Sequence, residues 1–174
     1  MKNNLMDAKS LAELGKIKKN LAELDFQMQI FEKSAEIPVN MLICAIPKDY
    51  KNREQSINLA FLPVMEDDFK AISLLQIYSV LPFAIPKENI NNLKDLFIYL
   101  NHRTTIGNFT INENNEIAFR YILAINKFKI IEKDVIQEIV ILFNYMIDLF
   151  NRHIEAIADG SKSLKQVFNE IDNF

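Results

Sequence analysis

The chain has one cysteine, two histidines, three glycines and no tryptophan. Each scarcity removes a class of chemistry. A single thiol, Cys44, rules out an internal disulfide and fits a reducing compartment. His102, His153 and Cys44 cannot fill a four-ligand structural zinc site from those residue types alone. Gly15, Gly107 and Gly160 lie too far apart to cradle a phosphate, which excludes the Walker and dinucleotide fingerprints. There is no Gly-x-Ser-x-Gly elbow. Basic charge is not in excess: the net charge of -3 gives no electrostatic reason to expect a nucleic-acid or anionic-membrane partner. The longest uncharged run, 71–86, is shorter than the ~20 residues of a membrane helix, and Pro82 and Pro86 interrupt it. Met1 to Asp7 lacks the apolar core of a signal peptide, so a cytoplasmic location is expected. With three glycines, five prolines and no low-complexity stretch or repeat, residues 1–174 read as a single domain.

What is present is strong periodicity. Leu11, Leu14, Ile17, Leu21 and Leu24 recur at helical spacing, so a helix is expected over about 4–22. Ser10 and Glu13 have capping-box spacing, which allows a later start near residue 11. Gly15 inside it marks a break or a close approach. From Phe26 the period changes to two. Strands are expected at 26–30, 37–46, 55–65 and 69–81, with Glu66-Asp67-Asp68 as a solvated hairpin tip. The fourth strand is apolar on both faces, as a central strand or a subunit contact would be. Pro86 opens a helix with a buried stripe of Ile90, Leu93, Leu96, Phe97 and Leu100, fading at Asn101-His102-Arg103. A hairpin follows, 105–112 and 117–125, with its tip at Glu113-Asn114-Asn115-Glu116. A helix over about 132–158 carries two apolar stripes, wider than one packing surface requires, and suggests a second layer or a subunit interface. Asp159-Gly160 ends it, and a short helix over about 162–171, capped by Ser161, closes the chain. The element order is α-β(3-4)-α-β-β-α-α. This is an α+β fold, an antiparallel β-sheet with helices packed on one face or end.

No catalytic, cofactor-binding or metal-ligating residue stands out. His102 is expected to interact with the last carbonyls of its helix, His153 to be a packing or interface residue, and Cys44 to act as a small hydrophobe. Gly107, entering the hairpin, is expected where another backbone or side chain passes close by. Arg120 is the most informative charge, because it interrupts an apolar strand between Phe119 and Tyr121. It either pairs with a carboxylate on the outer sheet face or anchors a partner there, since Arg and aromatics are favoured in interface cores.

Leu75-Gln76-Ile77-Tyr78-Ser79-Val80-Leu81-Pro82, Leu100-Asn101 closing a helix, Gly107-Asn108-Phe109 and Phe119-Arg120-Tyr121 together resemble the YbjN-like family over about residues 5–160. That family is similar in fold to the type III secretion chaperones. Those chaperones are α+β and usually dimeric, and the resemblance implies a protein-binding or regulatory role rather than a reaction; no cofactor is expected. The expected function is a non-enzymatic protein-binding module, chaperone-like or a regulatory adaptor, acting as a homodimer on a protein partner or client. Tyr78, Phe109, Arg120 and Tyr121 are its candidate contacts. The alternative is an enzyme or small-ligand sensor with a site near the helix–hairpin junction.

Overall fold

The computed structural model describes residues 2–63 and 69–173. Helix α1 (Lys2–Asn20) leads into strands β1 (Gln27–Phe31), β2 (Met41–Ile46), β3 (Gln55–Phe61) and β4 (Ile72–Val80). Helix α2 (Ile90–Asn101), strands β5 (Asn108–Ile111) and β6 (Ile117–Asn126), and helices α3 (Lys133–Ala158) and α4 (Leu164–Asp172) follow. All six strands form one antiparallel sheet in the order β1-β2-β3-β4-β6-β5. The expected α+β fold is therefore present, with four strands before α2. The expected acidic tip at Glu66-Asp67-Asp68 and the end of the third strand at Met65 lie outside the described residues.

The core lies on one face of the sheet. Strand alternation sends Leu42, Cys44, Ile57, Leu59, Leu75 and Ile77 inward, each 0% exposed. α1 packs over β1, β2 and β3 through Leu14, Ile17 and Leu21, while α2 packs on β5. α3 touches both flanking helices. Its Ile136, Val140, Phe143, Ile147 and Ile154 are buried, and the Phe143 ring meets that of Phe119 on β6 at 4.8 Å. The width of its apolar surface follows from this placement, with the sheet beneath it and a helix on either side. Part of the outer surface remains apolar: Val135, Ile141 and Tyr145 are 45%, 52% and 55% exposed.

Several boundaries differ from the periodic reading for local reasons. β2 begins at Met41 rather than residue 37, because the Asn40 side chain turns the chain. Its Oδ1 accepts the Lys33 N–H, and its Nδ2 donates to the Asp7 carbonyl and Ser10 Oγ of α1. Ser10 therefore sits inside α1, where its hydroxyl donates to Asp7 O, and does not cap a later start. The cap of α4 is Ser163 rather than Ser161, in a reciprocal capping box with Gln166. At the end of α2, the Leu100 carbonyl accepts from the main-chain N–H groups of Arg103 and Thr104, and Arg103 Nη1 donates to Tyr99 O. Arg103 thus fills the role expected of His102. His153 is buried, as a packing residue should be, with Nε2 3.7 Å from Glu170 of α4. Cys44 is buried as well, and burial pushes its thiol up to about 12.

The two glycines singled out by sequence have opposite surroundings. A Cβ at Gly107 would sit 2.8 Å from Phe119 Cζ and 3.0 Å from Arg120 O, at φ +68°. A Cβ at Gly15 would meet no atom within 4 Å, so the helix neither breaks nor packs closely there. The same substitution should therefore have opposite signs. Gly15→Ala is expected to stabilise by about 0.5–1 kcal/mol through helix propensity. Gly107→Ala is expected to destabilise by about 2 kcal/mol or more, from the positive φ and the clash. Urea unfolding followed by circular dichroism measures both.

Candidate functional site

The sheet has a second face, and no described helix covers it. Its side chains are set by register. One row crosses all six strands: Gln29 lies opposite Ile43, Ile43 opposite Asn58, Asn58 opposite Tyr78, Tyr78 opposite Arg120, and Arg120 opposite Asn108. A neighbouring row runs Phe31, Met41, Ala60, Gln76 and Ile122. Apart from Ala118, which is buried, every side chain in the strands of this face is partly or fully accessible, with Ile122 at 36%. Among the described residues Arg120 is the only charged side chain in its strands, although a quarter of the chain is charged.

Arg120 is held in place. Its Nε donates to Gln76 Oε1 at 2.7 Å, one strand away. It forms no ion pair among the described residues. Tyr78 lies directly across from it, and the Tyr78 hydroxyl accepts from Asn112 Nδ2 at 3.1 Å. Tyr78 and Arg120 are thus brought together on the open face. Phe109 and Tyr121 are not, because the pleat points them to the other side. Phe109 is 2% exposed, with its ring against Phe97, Phe119 and Phe150. It has no surface to offer a partner and is a core residue. Tyr121 faces the same way as Ile77 and packs partly buried against the core.

The helix–hairpin junction spends its polar groups on itself. The Asn101 side chain accepts the Phe109 N–H at 2.8 Å and donates to the Phe109 carbonyl at 3.1 Å. An amide thereby occupies the main-chain groups of the outer strand β5 as a neighbouring strand would, one way of blunting a sheet edge. Thr104 Oγ1 donates to Gly107 O and to Asn101 O. The opposite edge strand, β1, is free of charge from Gln27 to Phe31.

One cluster escaped the sequence reading. Between β2 and β3, Tyr50, Lys51 and Arg53 converge on Glu155 of α3, with Asp49 holding Arg53 from the loop. Arg53 Nη1 and Nη2 donate to the two Glu155 oxygens at 2.8 and 2.6 Å, Lys51 Nζ donates at 2.9 Å, and the Tyr50 hydroxyl donates to Oε2. Asp49 accepts from Arg53 Nε and from the N–H groups of Lys51 and Arg53. Burial opposes ionisation of Glu155, but the donors from Arg53, Tyr50 and Lys51 outweigh it and hold its pKa down at about 2. Burial and the neighbouring carboxylate push Tyr50 up to about 12. The signal was present in the sequence: Glu155 is a carboxylate beside Ile154 on the buried side of an apolar helix. The arrangement is a clamp between a loop and a helix, with every carboxylate oxygen occupied by donors.

A groove of about 300 Å³ lies between α1 and the ends of β2, β3 and β4, lined by Asp7, Ser10, Lys33, Asn40, Phe61 and Ser73. Among the described residues no group of three or more His, Cys, Asp or Glu side chains is placed to hold a metal ion. No described helix is long and apolar enough to cross a membrane. No family model matches the chain, and no curated protein matches its sequence. The fold and the candidate face define it as an α+β protein with a one-sided, six-stranded antiparallel sheet.

The clamp makes a pH prediction. The folded-state pKa of Glu155 lies below its ordinary value of 4.5, so its stabilisation is complete above about pH 5 and is lost as pH falls toward 2. A loss of about 2–3 kcal/mol from this group is expected over that window. Glu155→Gln should remove that part of the acid dependence. It should cost about 2 kcal/mol at neutral pH, since Arg53 and Lys51 lose their charged acceptor on α3 while Arg53 keeps Asp49. Urea midpoints measured from pH 7 to pH 3 for both proteins check this.

Proposed function

We propose that the chain is a non-enzymatic, cytoplasmic protein-binding module, chaperone-like or a regulatory adaptor, that acts as a homodimer and binds its partner on the uncovered sheet face. One observation carries the reading. A sheet face turned to water normally takes polar and charged residues in alternation with the core. This one presents Met41, Ile43, Leu74, Tyr78, Val80 and Ile122 interleaved with uncharged polar residues such as Gln29, Asn58, Gln76 and Asn108, and Arg120 is the single charge in its described strands. An accessible surface that mixes apolar and uncharged polar side chains and is poor in charge is the kind that binds other proteins. The resemblance to the YbjN-like family and the type III secretion chaperones, whose members are α+β and usually dimeric, supports the same reading.

The homodimer is supported by the outer side of α3. Val135, Ile141 and Tyr145 leave apolar surface on the layer opposite the open face. A two-fold contact between α3 and its copy covers that surface and leaves the sheet free for a client.

Affinity purification with mass spectrometry, repeated with Arg120→Glu, tests the binding face. Specific partners should fall at least tenfold on substitution, and an unchanged partner set argues against the face. Light scattering at micromolar concentration tests the assembly. The expected species has twice the 20.2 kDa chain mass. A monomer at that concentration removes the homodimer from the proposal, and Tyr145→Glu should dissociate a dimer built on α3.

A further inference from the structure

Among the described residues, the Nη donors of Arg120 on the open face have no ion-pair partner. Its Nε is tied to Gln76 at 2.7 Å, which fixes the guanidinium plane. The two Nη groups make no ion pair among the described residues, and no carboxylate stands in the strands of the face around them. The immediate surroundings are Tyr78 and Asn108 directly opposite and Ala118 and Ile122 along the strand. A guanidinium oriented by one hydrogen bond, with its fork free and apolar groups on either side, is shaped for a planar two-oxygen acceptor.

Resting on the reading of this face as a binding surface, we infer that Arg120 is its charge anchor, receiving an Asp or Glu carboxylate from an apolar segment of another protein. Charge complementarity selects the occupant. Any protein that covers the face removes water from Arg120, which is strongly unfavourable unless a carboxylate replaces that water. A second copy of this chain, docked through the same face, brings no carboxylate from the described strands of that face; the carboxylate bordering it, Glu116 in the β5–β6 tip, is held by Asn112, so such a dimer buries two guanidinium groups without a free acceptor. Homodimerisation therefore belongs to another surface. Phosphorylated segments are recognised by clusters of arginines, and this face has one. Nucleic acid requires many cations and is excluded on the same count. A single carboxylate satisfies a single oriented Arg.

The test is selection of a randomised twelve-residue peptide display library on the purified protein. Enriched peptides should carry Asp or Glu within an apolar run. For one such peptide, synthesised with a fluorophore, the change from acid to amide should weaken binding tenfold or more. Arg120→Gln should weaken it by the same factor, and the two changes together should weaken it little further. Arg120→Glu should shift preference to the Lys version of the peptide. Circular dichroism and thermal unfolding check that the variants fold. Enriched peptides without an acid, no enrichment, or an acid-to-amide effect that persists in Arg120→Gln would overturn the inference. So would Arg120-dependent binding that is tighter to a phosphoserine version than to the acid. Peptides insensitive to Arg120 but lost on Ile122→Asp overturn the anchor while leaving the binding face intact. Peptides insensitive to both remove the face as well.

Discussion

A chain of five phenylalanine rings holds together the half of the molecule formed last in sequence. Phe97 of α2 stacks on Phe109 of β5 at 6.0 Å, and Phe109 meets Phe119 of β6 at 4.4 Å. Phe119 meets Phe143 of α3 at 4.8 Å, and Phe150 of the same helix approaches Phe109 edge-on. Four consecutive elements are joined through contacts that each add about 0.5–1.5 kcal/mol beyond their buried area. Gly107 belongs to this arrangement because the Phe119 ring fills the space a side chain would need. The Asn101 amide locks the main chain of Phe109 from outside the sheet, so the central ring of the chain is fixed in both side chain and backbone.

The one-sidedness of the fold follows from where these contacts lie. β6 pairs with both β4 and β5 in antiparallel fashion, so β4 and β5 run in the same direction and need a crossover, which α2 supplies. α2 packs on the face that holds Phe109, and α3 is drawn to that face by Phe119. α1 lies over β1 to β3 on the same side and is tied to α3 by Gln137 Nε2 donating to Asn20 O. Once three helices share one face, the other is left to solvent or to a partner. Its scarcity of charge is consistent with the second.

Most of the fold was legible in the sequence. Each helix and strand was visible as a change of period, and the alternation within β4 and β6 assigned their side chains to opposite faces correctly. The candidate site was legible in part. Tyr78 and Arg120 fall on the open face, but Phe109 and Tyr121 fall on the other. Adjacency along the chain had grouped Phe119, Arg120 and Tyr121, whereas in a strand neighbours point in opposite directions. The clamp on Glu155 was not read, because it joins residues about a hundred positions apart.

The amino-acid sequence by itself determined the elements, their α+β class and the division of each strand into two sides, because these depend on local periodicity and backbone preference. It also determined that neither zinc-finger nor phosphate-loop chemistry is encoded, since the residue types are missing. Only the tertiary structure decided which side of the sheet is core, that Arg120 is the lone charge in the described strands of the other, and that Asn101 closes one edge. Those outcomes depend on strand order and on contacts between distant segments, which no local pattern records.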